Sequence, residues 1–239
     1  LVALAYWMLD PNPPRRVVLA TGVAQGAYAE FGQRYADRLK KHGIDVELRN
    51  TQGAAENLAL LRDPSSNVQI GFVQGGASQA PDAETTLKSP LQSLGSMFYE
   101  PVWLFYRTDS AQRLLKKPTL DSLSQLAGWR VNIGAAGSGV PHLATQLLDA
   151  NRIEPSTIAL SQQPVTPAVI ELLESRLDAL VLASAPESAM VQMLLQTPGI
   201  ALFDFAQAEA YTRRFGFLSA VTLPRGVVDL ARDMPAADV

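Results

Sequence analysis

Two stretches of this chain make the same move: a short apolar strand runs into a glycine-rich loop that opens directly into an amphipathic helix. They are Val17-Val18-Leu19-Ala20-Thr21-Gly22-Val23-Ala24-Gln25-Gly26 and Arg130-Val131-Asn132-Ile133-Gly134-Ala135-Ala136-Gly137-Ser138-Gly139. Such a turn leaves backbone N–H groups unpaired at the positive end of a helix, where an anionic group is favoured. Each copy is followed by a matching helix and strand. In the first these are Leu58-Ala59-Leu60-Leu61-Arg62 and Val68-Gln69-Ile70-Gly71-Phe72-Val73-Gln74, and in the second Ile170-Glu171-Leu172-Leu173-Glu174 and Leu177-Asp178-Ala179-Leu180-Val181-Leu182. The pattern predicts a duplicated α/β lobe with a ligand held between the copies.

At 239 residues, 47% of them hydrophobic and 18% charged, the chain has enough apolar material for one large core or two medium ones. The net charge is −3, and no basic run exceeds pairs such as Lys40-Lys41, Lys116-Lys117 and Arg213-Arg214. That argues against a nucleic-acid partner. Cysteine is absent, which removes disulfides, thiolate metal sites and cysteine nucleophiles, and with only two histidines no transition-metal site or cofactor is expected.

The uncharged run Leu1-Val2-Ala3-Leu4-Ala5-Tyr6-Trp7-Met8-Leu9 stops at Asp10-Pro11-Asn12-Pro13-Pro14. As a helix it would span roughly 13 Å, less than half a bilayer core. It is either a first core strand or the trailing end of a signal segment or membrane anchor. The Tyr6-Trp7 pair near its end and the Pro-rich spacer favour an anchor with a stiff tether.

Alternating patterns and short apolar runs predict strands near 16–21, 44–51, 68–74, 92–98, 101–107, 130–134, 157–160, 178–183, 199–203 and 216–222. Helices are expected near 26–42, 54–63, 121–127, 139–151, 167–176, 186–196 and 206–213. Strands alternating with helices imply parallel sheets covered on both faces, whose ligands bind beyond the carboxyl ends of the strands. Both glycine loops lie at such ends, as do Thr51, Gln74 and Ala183-Ser184-Ala185-Pro186, so Pro186 joins the candidate ligand contacts. The segments near 101–107 and 216–222 read as two strands crossing between the lobes. The expected organisation is then 1–15 as anchor end and tether, 16–100 plus 217–239 as lobe one, and 101–216 as lobe two with the crossing strands.

Candidate chemistry is sparse. Gly134 to Gly139 has the spacing G-x-x-G-x-G, which is not the dinucleotide fingerprint. Ser138 and His142 could suggest a nucleophile and base, but the elbow pattern is missing, and a cap and a surface histidine explain them better. Glu100 before Pro101 reads equally as an acid in the cleft or an exposed turn residue, and Tyr28 equally as a ligand contact or core packing. Asn57 and Gln74 are neutral amides at a helix start and a strand end, suited to a polar ligand without the cost of burying charge. Helix capping is the alternative.

Six motifs, in order, resemble the TAXI family of TRAP-transporter solute receptors. They are Thr21-Gly22-x-x-x-Gly26-x-Tyr28, Thr51-x-Gly53-x-x-Glu56-Asn57-Leu58, Gly71-Phe72-Val73-Gln74, Tyr99-Glu100-Pro101-Val102, Gly128-x-Arg130-Val131-x-Ile133-Gly134-x-x-Gly137-Ser138-Gly139 and Leu177-Asp178-Ala179. The match runs from about 16 to 186 and more weakly beyond. The resemblance implies an α/β periplasmic-binding-protein fold of the second topological type: two lobes, two crossing strands forming a hinge, and a ligand cleft between the lobes. It also implies that the loops at Thr21-Gly22, Thr51 to Asn57, Gln74 and Gly137-Ser138-Gly139 line the cleft. The ligand would be a small organic anion such as glutamate or a dicarboxylate, passed to TRAP membrane permease subunits, and the protein would be periplasmic or otherwise extracytoplasmic.

This chain departs from that pattern at Val23 in place of a glycine, Ala54 in place of a serine, and Gly75-Gly76 where an aspartate commonly follows Gln74. The leading expectation is a non-enzymatic receptor. Its ligand carboxylate would be held by N–H and hydroxyl donors of the Thr21-Gly22 and Gly137-Ser138-Gly139 loops and not by Arg16, Arg107 or Arg130. The competing readings are a sensor domain of a membrane signalling protein and an enzyme using Ser138, Glu100 or His142.

Overall fold

The computed structural model describes residues 14–24, 26–77 and 91–239. It divides into two compact units, Leu1–Val73 and Gln74–Val239. The apolar run and most of the Pro-rich spacer expected at 1–15 lie outside the described residues.

The first unit is a three-stranded parallel sheet in the order β2-β1-β3, with β1 at Arg16–Ala20, β2 at Asp45–Arg49 and β3 at Ile70–Gly71. Its central strand buries Val17, Val18, Leu19 and Ala20. A continuous apolar run of this kind belongs to a strand covered on both faces. Helix α1 (Ala27–Lys40) links β1 to β2. A Cβ on its Gly32 would lie 2.7 Å from Thr21 Cγ2, so glycine lets the helix approach the strand end. The helix stops at Gly43, whose φ of +76° suits glycine, while the Ile44 N–H returns to the Leu39 carbonyl. Helix α2 (Ala54–Arg62) links β2 to β3, and it starts from Gly53 at φ +131°.

The second unit carries a five-stranded sheet in the order β6-β5-β7-β4-β8. The strands are β4 (Val102–Arg107), β5 (Arg130–Asn132), β6 (Ala159–Ser161), β7 (Ala179–Ala183) and β8 (Ile200–Leu202). The helices are α3 (Thr108–Leu115), α4 (Val140–Ala150), α5 (Val165–Leu173), α6 (Ala189–Gln196) and α7 (Ala208–Arg214). Successive side chains of a strand point to opposite faces, and β4 divides its residues accordingly. Leu104 and Tyr106 join one cluster with Trp129 and with Leu143 and Leu147 of α4. Trp103 and Phe105 join another with Leu172 of α5 and Leu194 of α6. The sheet is therefore sandwiched between two apolar layers.

Several expectations are corrected. The second sheet is mixed, because β4 runs antiparallel to both β7 and β8. No strand forms at 92–98, where Leu94 and Met97 are exposed and Gly95 sits at φ +142°. None forms at 216–222 either, so of the two crossing strands only 101–107 exists as a strand, and it pairs within the second sheet. The helix expected at 121–127 is a 3-10 turn at Leu123–Leu126 capped by the Ser122 hydroxyl, and α3 was not expected at all. Residues 217–239, assigned by sequence to lobe one, group here with the second unit, where Leu218 and Leu223 pack against its two apolar clusters.

Candidate functional site

At the carboxyl edge of the first sheet, a buried amide fastens three strands. Asn57, fully buried on α2, donates through Nδ2 to the Thr21 carbonyl just past β1 and to the Phe72 carbonyl just past β3, the latter at 2.8 Å. Its Oδ1 accepts from the Thr51 hydroxyl at 2.6 Å, beyond β2. Thr51 in turn accepts from the Gly53 N–H, and its own N–H donates to the Gly22 carbonyl. The Thr21 hydroxyl is buried and donates to the Arg49 carbonyl at 3.2 Å. Thr21, Gly22, Thr51 and Asn57 thus come together. Their side chains are engaged with one another and with the backbone, whereas the N–H groups of Gly22, Val23 and Ala24 have no acceptor among the described residues. Tyr28 closes the same edge: a Cβ on Gly22 would touch its ring at 3.3 Å, and the ring stacks on Phe72 with centroids 5.3 Å apart.

The second unit repeats the device with a different amide. Asn132, at the end of β5, donates to the Gln163 carbonyl at 3.2 Å and accepts from the Gln163 N–H at 2.8 Å and the Ser161 hydroxyl at 3.2 Å. Beyond it, Gly134 turns at φ +87°, and a Cβ there would lie 2.8 Å from Val140 Cβ. The Ser138 hydroxyl donates to the Ala135 carbonyl at 2.7 Å and lies 3.4 Å from the Val140 N–H. It therefore braces the loop from inside. The N–H groups of Ala135, Ala136, Gly137 and Gly139 have no acceptor among the described residues, and they lead into α4.

Gln74 belongs to this edge too, since a Cβ on Gly139 would collide with its side-chain oxygen. Glu100 and Pro186 also flank it. Val102 pairs with Ala183, the Ser184 N–H donates to the Pro101 carbonyl at 3.2 Å, and the Trp103 indole N–H donates to the Ser184 carbonyl at 2.8 Å. Ser138 and His142 do not pair: His142 Nε2 lies 2.8 Å from the Gln146 side-chain nitrogen. Among the described residues no group of three or more His, Asp or Glu is placed to hold a metal ion.

Charge is concentrated at the opposite edge of the second sheet. Asp178 precedes β7 and is 1% exposed. It accepts from the Ser110 hydroxyl at 2.6 Å, from Arg113 at 2.8 Å, and from the backbone N–H, Nε and Nη2 of Arg130, each at 2.9 Å. Burial alone would raise its pKa, but the hydrogen bonds from Arg130 and Ser110 outweigh burial and hold it at about 2. Arg130 is thereby committed to the amino edge of the sheet, and Arg107 is committed to Asp109 and to the Leu172 carbonyl. The sequence reading placed Asp178 and Arg130 in motifs but missed their pairing. It also passed over Asn132, although a polar residue inside the apolar run Val131-Asn132-Ile133 was a visible signal.

The profile of the NMT1-like family matches residues 19–237. The chain belongs to the NMT1-like family. No curated protein sequence matches it. Among solved structures, this NMT1-like chain is similar to an ABC uptake transporter substrate-binding protein from Streptococcus pneumoniae with bound histidine, at 15% identity and a TM-score of 0.53 over 80% of this chain and 75% of that one. It is similar to the alkanesulfonate-binding protein SsuA from Xanthomonas axonopodis pv. citri bound to MOPS, at 13% identity and a TM-score of 0.51 over 86% and 69%. The effector-binding domain of QuiR in complex with shikimate is also similar, at 12% identity and a TM-score of 0.51 over 79% of each chain. At these identities the likeness concerns the fold, which is that of the periplasmic-binding-protein class.

Proposed function

We propose that this NMT1-like chain is a non-enzymatic extracytoplasmic solute receptor that captures a small organic anion of the amino acid or dicarboxylate class and delivers it to a TRAP-type permease. The observation that carries the reading is a glycine loop in each unit: the N–H groups of Gly22, Val23 and Ala24 in one, and of Ala135, Ala136, Gly137 and Gly139 in the other, have no acceptor among the described residues, while the neighbouring side chains are engaged in bracing the loops. Oriented N–H groups ahead of a helix favour a carboxylate without a buried cation. Tyr28 stands beside the first loop and Gln74 beside the second, with Glu100 and Pro186 as further candidate contacts in the second unit, while Thr21, Thr51, Asn57 and Ser138 hold the loops in shape. The TRAP assignment rests on the six TAXI-like motifs, and membrane attachment through residues 1–15 belongs to the same proposal. The fold also serves effector-binding domains such as that of QuiR, so a ligand-sensing role would use the same loops but support no uptake.

Calorimetric titration with L-glutamate and succinate tests the reading. Gly134→Ala, which forces a side chain into a left-handed backbone and against Val140, should weaken binding at least about tenfold. Arg130→Gln should leave the affinity of the folded protein within about twofold, since its guanidinium already serves Asp178. Loss of binding in Arg130→Gln with Gly134→Ala unaffected would overturn the donor-loop reading.

A further inference from the structure

The segment after Gln74 holds a feature that the anion cradle does not explain. Gly75 and Gly76 form a seat for the Phe217 ring: a Cβ on Gly75 would lie 3.1 Å from Phe217 Cβ, and one on Gly76 would overlap ring carbons Cε2 and Cζ. Gly76 is also at φ +76°, so both its conformation and its bareness are required. Phe217 keeps 38% of its surface exposed, with one side against the glycines. The seat adjoins the cradle through Gln74, whose side-chain oxygen abuts Gly139 at the head of α4. Gly75 and Gly76 directly follow Gln74, and an aromatic ring fills the space over them.

We propose that Phe217 is a specificity determinant, so that the preferred ligand is a carboxylate carrying an apolar or aromatic arm. This rests on the receptor reading above and narrows its ligand class. The exposed ring offers apolar area that a hydrocarbon arm can cover. The first unit presents the same kind of surface by itself, in the Tyr28–Phe72 stack at its own glycine loop.

The test is calorimetry on the full chain with four probes: propionate, 3-phenylpropionate, succinate and L-glutamate. Wild type should bind 3-phenylpropionate at least about tenfold more tightly than propionate. Phe217→Ala should bring that ratio to within about twofold of unity, and Phe217→Leu should retain most of it; melting curves confirm that both variants are folded. Carboxylate binding with a ratio near unity in wild type, or a ratio unchanged in Phe217→Ala, overturns this inference alone. Failure of all four probes to bind the folded wild type overturns the receptor reading together with it.

Discussion

The two units fasten the carboxyl edges of their sheets with the same chemistry but at different strengths. In the first, the Asn57 amide uses both its donors and its acceptor on three separate segments past β1, β2 and β3. In the second, the Asn132 amide binds only the strand next to it, through Ser161 and Gln163. The second sheet instead gains a charged lock at its far edge, where Asp178 gathers Ser110, Arg113 and Arg130. A three-stranded sheet with a small core, formed by Val18, Ala20 and Val68, depends on its one neutral staple, while a five-stranded sheet between two apolar layers spreads the load. Neutral staples at the carboxyl edges keep the loops in register without adding a charge of their own, and the ion pairs of Asp178 stand at the opposite edge.

The largest effect should come from removing the first staple. Asn57→Ala strands the Phe72 carbonyl and leaves the Thr21 carbonyl and Thr51 hydroxyl with only each other and the Gly53 N–H, and should cost roughly 3 kcal/mol in urea unfolding. Asn132→Ala should cost about half as much, because fewer segments lose a partner. Equal costs would break the comparison.

A smaller effect concerns acid. Asp178 has its pKa lowered from 3.8 to about 2, so its stabilisation is complete above about pH 4 and is lost as pH falls through about 2. It amounts to about 2 kcal/mol. Stability curves of wild type and Asp178→Asn should therefore draw together as pH falls from about 4 to 2 and keep a constant gap above about pH 4. Parallel curves across that window would mean that the carboxylate is not what locks the far edge.

Much of the layout was legible in the sequence because it rests on local signals. Continuous apolar runs gave β1 and β7, Gly43 marked the end of α1, and Gly53 and Gly134 marked turns that only glycine adopts without strain. The direction of β4 was not legible, since alternation reports which face a residue takes and not which way its neighbour runs. Apolar runs at 92–98 and 216–222 misled for a related reason: a strand needs a neighbouring strand, and neither segment joins a sheet among the described residues. The glycine loops and their nearby polar residues were found as candidates. Whether their side chains face a ligand or the backbone depends on carbonyls brought together from distant strands, and so Thr21, whose hydroxyl was expected to donate to the ligand, instead ties its loop to Arg49.

The most direct measurement follows individual N–H resonances in a single nitrogen–proton correlation experiment while succinate is titrated into the labelled protein. A donor-loop anchor requires the amide protons of Ala135, Ala136 and Gly137 to move downfield in saturable fashion while the Nε–H of Arg130 stays with Asp178. Movement of the Arg130 Nε–H with the loop amides unchanged would contradict it.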